Sequence, residues 1–355
     1  MSTATGPHGP GELFLGEIRE QPEALLRLLE QEAEFEAVTK AMRERRPAVV
    51  RLVGHGSSDA AASYGVYAFG LLPGWTAMRD SISLTVYYDA KLDLSDSVVI
   101  ALSQSGETPD VVEYVKRARG KGAFTVAITN GAESSLADSA DATLALAAGP
   151  ERAVAASKTF LNTLAALAWV AGGAAERGSE ISEGLRRVSD QLSEALESLE
   201  QAVANVAMAF AYVGRMYVIG RGIEFGTARE VALKLLETCR VAAEPMTATA
   251  FAHGPVAALD ALFPVWAIAS KNQNVSVVRE AVARARAAGS TVVASGDAAA
   301  DVDASYLLPT PEPSIPLLSP LLSVLPGQVF ARALALAKGY DPDHPQRLEK
   351  VTLAR

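Results

Sequence analysis

The stretch SQSGETPD, residues 103–110, places Ser103, Gln104, Ser105 and Thr108 around a glycine, after the apolar run SVVIA and before the periodic segment VVEYVKRAR. That order reads as a strand, a tight turn and a helix. A helix N-terminus presents unpaired N–H groups and a partial positive charge, which suits a phosphate. Three hydroxyls and a carboxamide would add donors, and Gly106 would let the backbone approach the anion closely. Such a loop could hold a phosphate dianion without lysine or arginine. The same residues also make an ordinary capped turn, with Thr108 as N-cap and Pro109 at the first helical position. Ser57 and Ser58, in GHGSS at the end of another strand-like run, could reach the same crevice.

A second group has the spacing of one helix face. Glu230, Lys234 and Glu237 lie four and three residues apart in REVALKLLE. Such a trio is either a solvated, ion-paired surface or a set of groups able to move a proton. The apolar neighbours Val231, Leu233, Leu235 and Leu236 leave little purely polar surface around it. By spacing alone, His253 in AFAHGPVAAL reads as a structural histidine and Lys350 as an exposed lysine of the charged tail. GHGSSDA (54–60) occupies the place of a dinucleotide fingerprint, but Asp59 replaces the third glycine. Asp89 follows Gly54 by about 35 residues rather than the usual roughly 20. A nicotinamide cofactor is therefore not expected, nor is any metal or redox cofactor.

These groups need a scaffold, and the chain repeats one. AVVRLVG (48–54), SLTVYY (83–88), SVVIALS (97–103), FTVAITN (124–130) and DATLALA (141–147) read as short buried strands separated by helices, the signature of a parallel sheet covered on both faces. VVRLVGHG recurs as RMYVIGRG 166 residues later, and SVVIALS as PVWAIAS after 167. TVAITNG recurs as TVVASGD after 166, and DATLALA as DASYLLP after 162. The spacing predicts two copies of one doubly wound, flavodoxin-like unit. One helix is expected at about 21–46 and another at about 179–211.

The 355 residues suit two domains, and 49% hydrophobic with 21% charged residues is a normal globular balance. A net charge of −9 without a Lys/Arg block argues against nucleic acid or an anionic membrane as partner. The lone Cys239 excludes an intrachain disulfide and a thiolate cluster and fits a reducing cytoplasm. The start, MSTATGPHGPGE, lacks the charge and apolar core of a signal peptide and reads as a disordered lead-in. The apolar windows 163–175 and 319–337 read as buried helices, one too short to span a bilayer, the other cut by Pro326 and Arg332.

Together, GHGSS, SQSGET and the duplicated unit resemble the sugar isomerase (SIS) family of phosphosugar-binding domains, with the isomerase half of glucosamine-6-phosphate synthase and the SIS-type glucosamine-6-phosphate deaminases most similar. The resemblance runs through GEIREQP (16–22), ERAVAASKTF (151–160), REVALKLLE (229–237), AHGPVAAL (252–259) and DHPQRLEKVTLAR (343–355). It implies that Ser58, Ser103, Gln104, Ser105 and Thr108 bind phosphate, and that Ser57 and the backbone of Val154 contact the sugar. It further implies Glu237 as the base moving a proton between C1 and C2, with Lys234 and Glu230 one and two turns before it. His253 would open the sugar ring, and Lys350 would face the carbonyl carbon. Ala250, Ala252 and Ala156 stand where the synthase carries Glu, Lys and Ser, so the pocket rim differs.

The resemblance implies an enzyme acting on a sugar 6-phosphate, foremost a glucosamine-6-phosphate deaminase releasing fructose 6-phosphate and ammonia. An aldose–ketose isomerase or a fructosamine-6-phosphate deglycase would use related chemistry, and a non-catalytic sugar-phosphate sensor is the alternative of another class. The synthase's glutaminase domain, with its N-terminal cysteine, has no counterpart in the sequence. A homodimer is expected, with His253 of one chain near Ser103, Glu237 and Lys350 of the other. The expected organisation is a lead-in (1–15), a first SIS domain (16–176), a connecting helix (177–212), a second SIS domain (213–338) and a tail (339–355) that contributes to the active site.

Overall fold

The computed structural model describes residues 9–350. Residues 1–8 of the expected lead-in and 351–355 of the tail lie outside the described residues. Three helices, α1 Glu12–Arg19, α2 Gln21–Leu28 and α3 Glu32–Arg45, precede β1 Val49–Val53, α4 Ser57–Leu71, β2 Ala77–Arg79 and α5 Ile82–Val86. Then come β3 Ser97–Ser103, α6 Pro109–Gly120, β4 Phe124–Thr129, α7 Ser135–Ser139 and β5 Ala142–Ala145, followed by α8 Lys158–Ala174 and the long α9 Gly178–Ala209. The order then returns as β6 Arg215–Gly220, α10 Glu224–Cys239, β7 Ala242–Thr247, α11 Ala248–Ala252 and β8 Val265–Ile268. It closes with α12 Val275–Ala287, β9 Val292–Gly296, β10 Tyr306–Pro309 and α13 Ser319–Ala337.

The strands form two five-stranded sheets, β2-β1-β3-β4-β5 and β10-β9-β8-β6-β7, every pairing parallel. Reading β6 for β1, both have the order 2-1-3-4-5, so the duplicated doubly wound unit is present. In each sheet the winding reverses beside the first strand, the place where such folds open a crevice at the strands' carboxyl ends. The turns after β1 and β3 flank that crevice in the first sheet. Strands β3 and β4 are buried throughout, as their near-continuous apolar sequences require.

The chain clusters into two compact units that interleave along the sequence. One holds the first sheet and joins residues 23–150 to 158–189. The other holds the second sheet and joins residues 190–350 to residues 151–157 and to the N-terminal segment ending at Pro22. Helix α1 and the 151–157 turn thus pack with the second sheet, although both precede it in sequence.

Three local expectations are corrected. SLTVYY is not a strand: β1 takes Ala77–Arg79 as its edge partner, with Val50 opposite Ala77 and Leu52 opposite Arg79. Residues 82–86 form α5, where Ile82 and Thr85, three apart, are buried, while Leu84, Tyr87 and Tyr88 remain exposed. The single helix expected at 21–46 is broken at Glu30–Gln31, where the Gln31 carboxamide turns to donate to Ala145 O at 2.9 Å. The lead-in is ordered from Glu12, because Phe14 and Ile18 of α1 are fully buried and Asp343 accepts the N–H groups of Leu13 and Phe14. The two apolar windows lie in α8 and α13, both largely buried helices, and α13 packs on α10.

Candidate active site

In the unit of the first sheet, the 103–108 turn is organised by its own hydroxyls. Ser103 Oγ accepts the Gly106 N–H at 3.1 Å and lies 3.3 Å from Thr108 Oγ1, while Ser105 Oγ accepts the Glu107 N–H at 3.2 Å. Gly106 has φ +72°, and a Cβ there would run into Ser134 and Thr129, so the turn admits only glycine without strain. Thr108 stands at the N-cap of α6 with Pro109 following, yet its hydroxyl makes no capping bond. The helix N–H groups that an N-cap side chain would take stay available to an anion. The loop's own carboxylate, Glu107, is engaged by the N–H and hydroxyl of Ser135, which also holds its pKa below the usual carboxylate range.

Ser57 and Ser58 begin α4 after Gly56, whose φ of +55° turns the chain from β1 into the helix. They stand on the neighbouring strand's turn, half-buried. His55, in the same turn, reaches α6: its Nε2 lies 2.8 Å from Asp110 Oδ2. This pair ties the turns after β1 and β3 together, and it has no signal in the sequence because it links residues 55 positions apart.

In the other unit, α10 carries the trio. Lys234 Nζ lies 2.6 Å from Glu237 Oε2 and 3.5 Å from Glu230 Oε1. The side chains of Glu230 and Lys234 are 0% and 1% exposed, whereas that of Glu237 is 21% exposed. Burial alone would lower the lysine's pKa, but the attraction of Glu230 and Glu237 outweighs it and raises the pKa, so Lys234 stays an ammonium. It is a counter-ion, and Glu237 is the member of the trio that can meet a ligand. The expected apolar surround is only partial, since Leu236 is half exposed. Cys239, one turn on, is inert: burial pushes its thiol up to about 12, and its Sγ bonds Ala331 O at 3.0 Å.

Lys350 reaches the same unit from the tail. Its Nζ donates to Glu151 Oε2 at 2.8 Å, and the other carboxylate oxygen of Glu151 accepts the Ser157 N–H at 3.0 Å. Behind Glu151, Glu17 of α1 accepts the N–H groups of Arg152 and Ala153. Val154 donates its N–H to Asp343 O, and the Asp343 carboxylate caps α1. A closed circuit results: α1 holds the 151–154 turn through Glu17, the turn holds Lys350 through Glu151, and the tail returns to α1 through Asp343. Burial, reinforced by the neighbouring Glu151 charge against two backbone N–H bonds, pushes the Glu17 carboxyl up to about 7.

Glu17 and Glu151 were missed in the sequence. Glu17 did carry a signal, an acid amid the buried Phe14, Leu15 and Ile18 of one helix face. Glu151 lies in irregular backbone, where periodicity says nothing. His253 caps the end of α11, exposed, and among the described residues its side chain makes no hydrogen bond or ion pair. The structure thus places Glu230, Lys234, Glu237, His253, Val154 and Lys350 in one unit and the hydroxyl-lined turns in the other.

The SIS domain family pattern matches residues 49–171 and again 209–337. The glutamine–fructose-6-phosphate aminotransferase (isomerizing) of Aeropyrum pernix is 35% identical over 98% of this chain and 58% of its own length. The chain spans about three-fifths of the curated relatives it matches first. A solved structure from Silicibacter pomeroyi, named for phosphosugar isomerase activity, superposes with a TM-score of 0.83 at 32% identity, covering 93% of this chain and 99% of that one. The glucosamine-6-phosphate deaminase of Thermotoga maritima shares the fold, at TM-score 0.75 and 21% identity over 96% of this chain and 99% of its own.

Proposed function

Since the chain belongs to the SIS domain family, we propose that it is a sugar-phosphate isomerase acting on a hexose or amino-hexose 6-phosphate. The observation that carries this reading is the state of α10. Glu230 and Lys234 are sealed in, and only Glu237 remains partly open, poised on an ammonium 2.6 Å away. A buried counter-ion 2.6 Å away fixes the orientation of this carboxylate, as a positioned base requires, and a merely solvated face would have exposed all three residues.

In the proposed reaction Ser58, Ser103, Gln104, Ser105, Thr108 and the N–H groups of α6 take the phosphate, while Ser57 and the Val154 backbone contact the sugar. His253 opens the ring. Glu237 removes the C2 proton and returns it to C1, and Lys350 faces the carbonyl carbon. With glucosamine 6-phosphate, the shift leaves an imine at C2 that water hydrolyses to fructose 6-phosphate and ammonia, and this deaminase reaction is the reading we favour. Aldose–ketose isomerisation, or removal of an amine from fructosamine 6-phosphate, would use the same ring opening and proton shift. The exposure of an unpartnered His253 supports a homodimer in which this residue serves the partner's substrate, about the two-fold axis commonest in oligomers.

The test is incubation with a panel of sugar phosphates while ammonia and ketose phosphate are assayed. Turnover of glucosamine 6-phosphate supports the favoured reading, and turnover of a neutral hexose phosphate alone redirects it to isomerisation. Binding without turnover across the panel overturns the enzyme.

A further inference from the structure

Glu224 is 2% exposed at the first turn of α10, and four hydroxyls converge on it. Ser270 Oγ and Ser319 Oγ each donate to Oε1 at 2.6 Å, Ser323 Oγ to Oε2 at 2.5 Å and Thr227 Oγ1 to Oε2 at 2.9 Å. All four donors are themselves buried. A carboxylate so surrounded is satisfied as an anion at both oxygens, and its place in the first helical turn adds the favourable end of the helix dipole.

The internal repeat gives this cluster its meaning. At offsets of 166 and 167 residues, Glu224 matches Ser58, and Ser270, two residues past β8, matches Ser103 at the end of β3. The backbones agree: Gly56 and Gly222 both have positive φ, +55° and +63°. A Cβ on Gly54 would meet Ser58, and one on Gly220 would meet Glu224, so the same tight strand-to-helix packing occurs in both copies. The first copy has two hydroxyl-bearing residues at these positions, Ser58 partly exposed and Ser103 buried with its Oγ accepting the Gly106 N–H, and no carboxylate. The second has a hydroxyl and a carboxylate, bonded to one another.

We propose that Glu224 is the second repeat's own anion, occupying the crevice that takes a phosphate in the first. Two consequences follow, and they rest on the phosphate reading of the 103–108 turn. Each chain accepts phosphate in its first repeat alone. The N-terminus of α10, bolted to Ser270 and to Ser319 and Ser323 of α13, holds the helix still for Glu230, Lys234 and Glu237 further along it, which makes Glu224 a positioning residue for the acid–base trio.

The experiment is calorimetric titration of the intact protein and of Glu224→Ala with inorganic phosphate, together with turnover in the presence and absence of formate. The variant should gain one phosphate site per chain over the parent, lose turnover, and recover part of it when formate replaces the missing carboxylate. No gained site and no formate effect in a folded variant overturns the proposal. Two independent phosphate sites in the parent overturn it even if the variant does not fold. A parent that binds no phosphate refutes the reading of the 103–108 turn, while the difference of one site between variant and parent still judges Glu224.

Discussion

Lys350 Nζ lies 2.8 Å from Glu151 Oε2, an ion pair between residues 199 positions apart in which the carboxylate is fully buried and the ammonium partly open. A lysine near the end of a charged tail is thereby given one address. Under the proposed roles, Glu151→Gln keeps the shape and removes the charge that fixes Lys350. We expect kcat/KM to fall roughly 10- to 100-fold, the rate equivalent of losing about 1.5–3 kcal/mol from a charge-assisted hydrogen bond. The double variant with Lys350→Met should be no worse than Lys350→Met alone, since the two act as one unit. Additive losses would show that Glu151 acts independently of the lysine.

How much of this was legible follows from where the information lies. The repeat was, because β1, β3, β4 and β5 are apolar runs bounded by turn residues, and their second copies keep nearly the same spacing. The α10 trio was, because three residues at helical spacing need only a helix to meet. The edge strand Ala77–Arg79 was not: it is three residues long, and the β-branched run just after it satisfies a strand pattern while forming a helix. The circuit of Glu17, Glu151, Asp343 and Lys350 was not legible either, since it joins both ends of the chain through irregular backbone. Resemblance pointed to Lys350, and only the folded chain supplies what holds it.

Glu17 gives a pH signature of that circuit. Its carboxyl is raised from 4.5 to about 7 in the folded protein, so the folded state binds more protons than the unfolded between those values. Stability must therefore fall as pH rises from about 4.5 to 7, by an amount on the order of 3 kcal/mol at 1.36 kcal/mol per pKa unit, and level off above. Glu17→Gln should accept the same backbone N–H groups without this penalty. Denaturant unfolding at several pH values should show the variant gaining on the parent from pH 5 to pH 8. A pH-independent difference would contradict the ionisation of Glu17 in this window.

The phosphate role proposed for the 103–108 turn predicts a loss confined to binding. Ser105→Ala with Thr108→Ala should weaken binding of a sugar 6-phosphate by roughly 1.5–3 kcal/mol for each hydrogen bond lost to the dianion. Affinity for the same sugar without its phosphate should not change. Equal affinity of parent and double variant for the phosphorylated sugar, measured calorimetrically, would remove these hydroxyls from the site.

The central claim is that Glu237 carries the proton between C2 and C1 while Lys234 and Glu230 hold it in place, and solvent exchange at C2 of the bound sugar phosphate reads it directly. In deuterium oxide the parent should exchange the C2 proton. Glu237→Gln should bind the same sugar phosphate and exchange it on the order of 10²–10⁴-fold more slowly, the usual worth of a positioned base. Near-parental exchange in Glu237→Gln, with substrate still bound, would contradict the account.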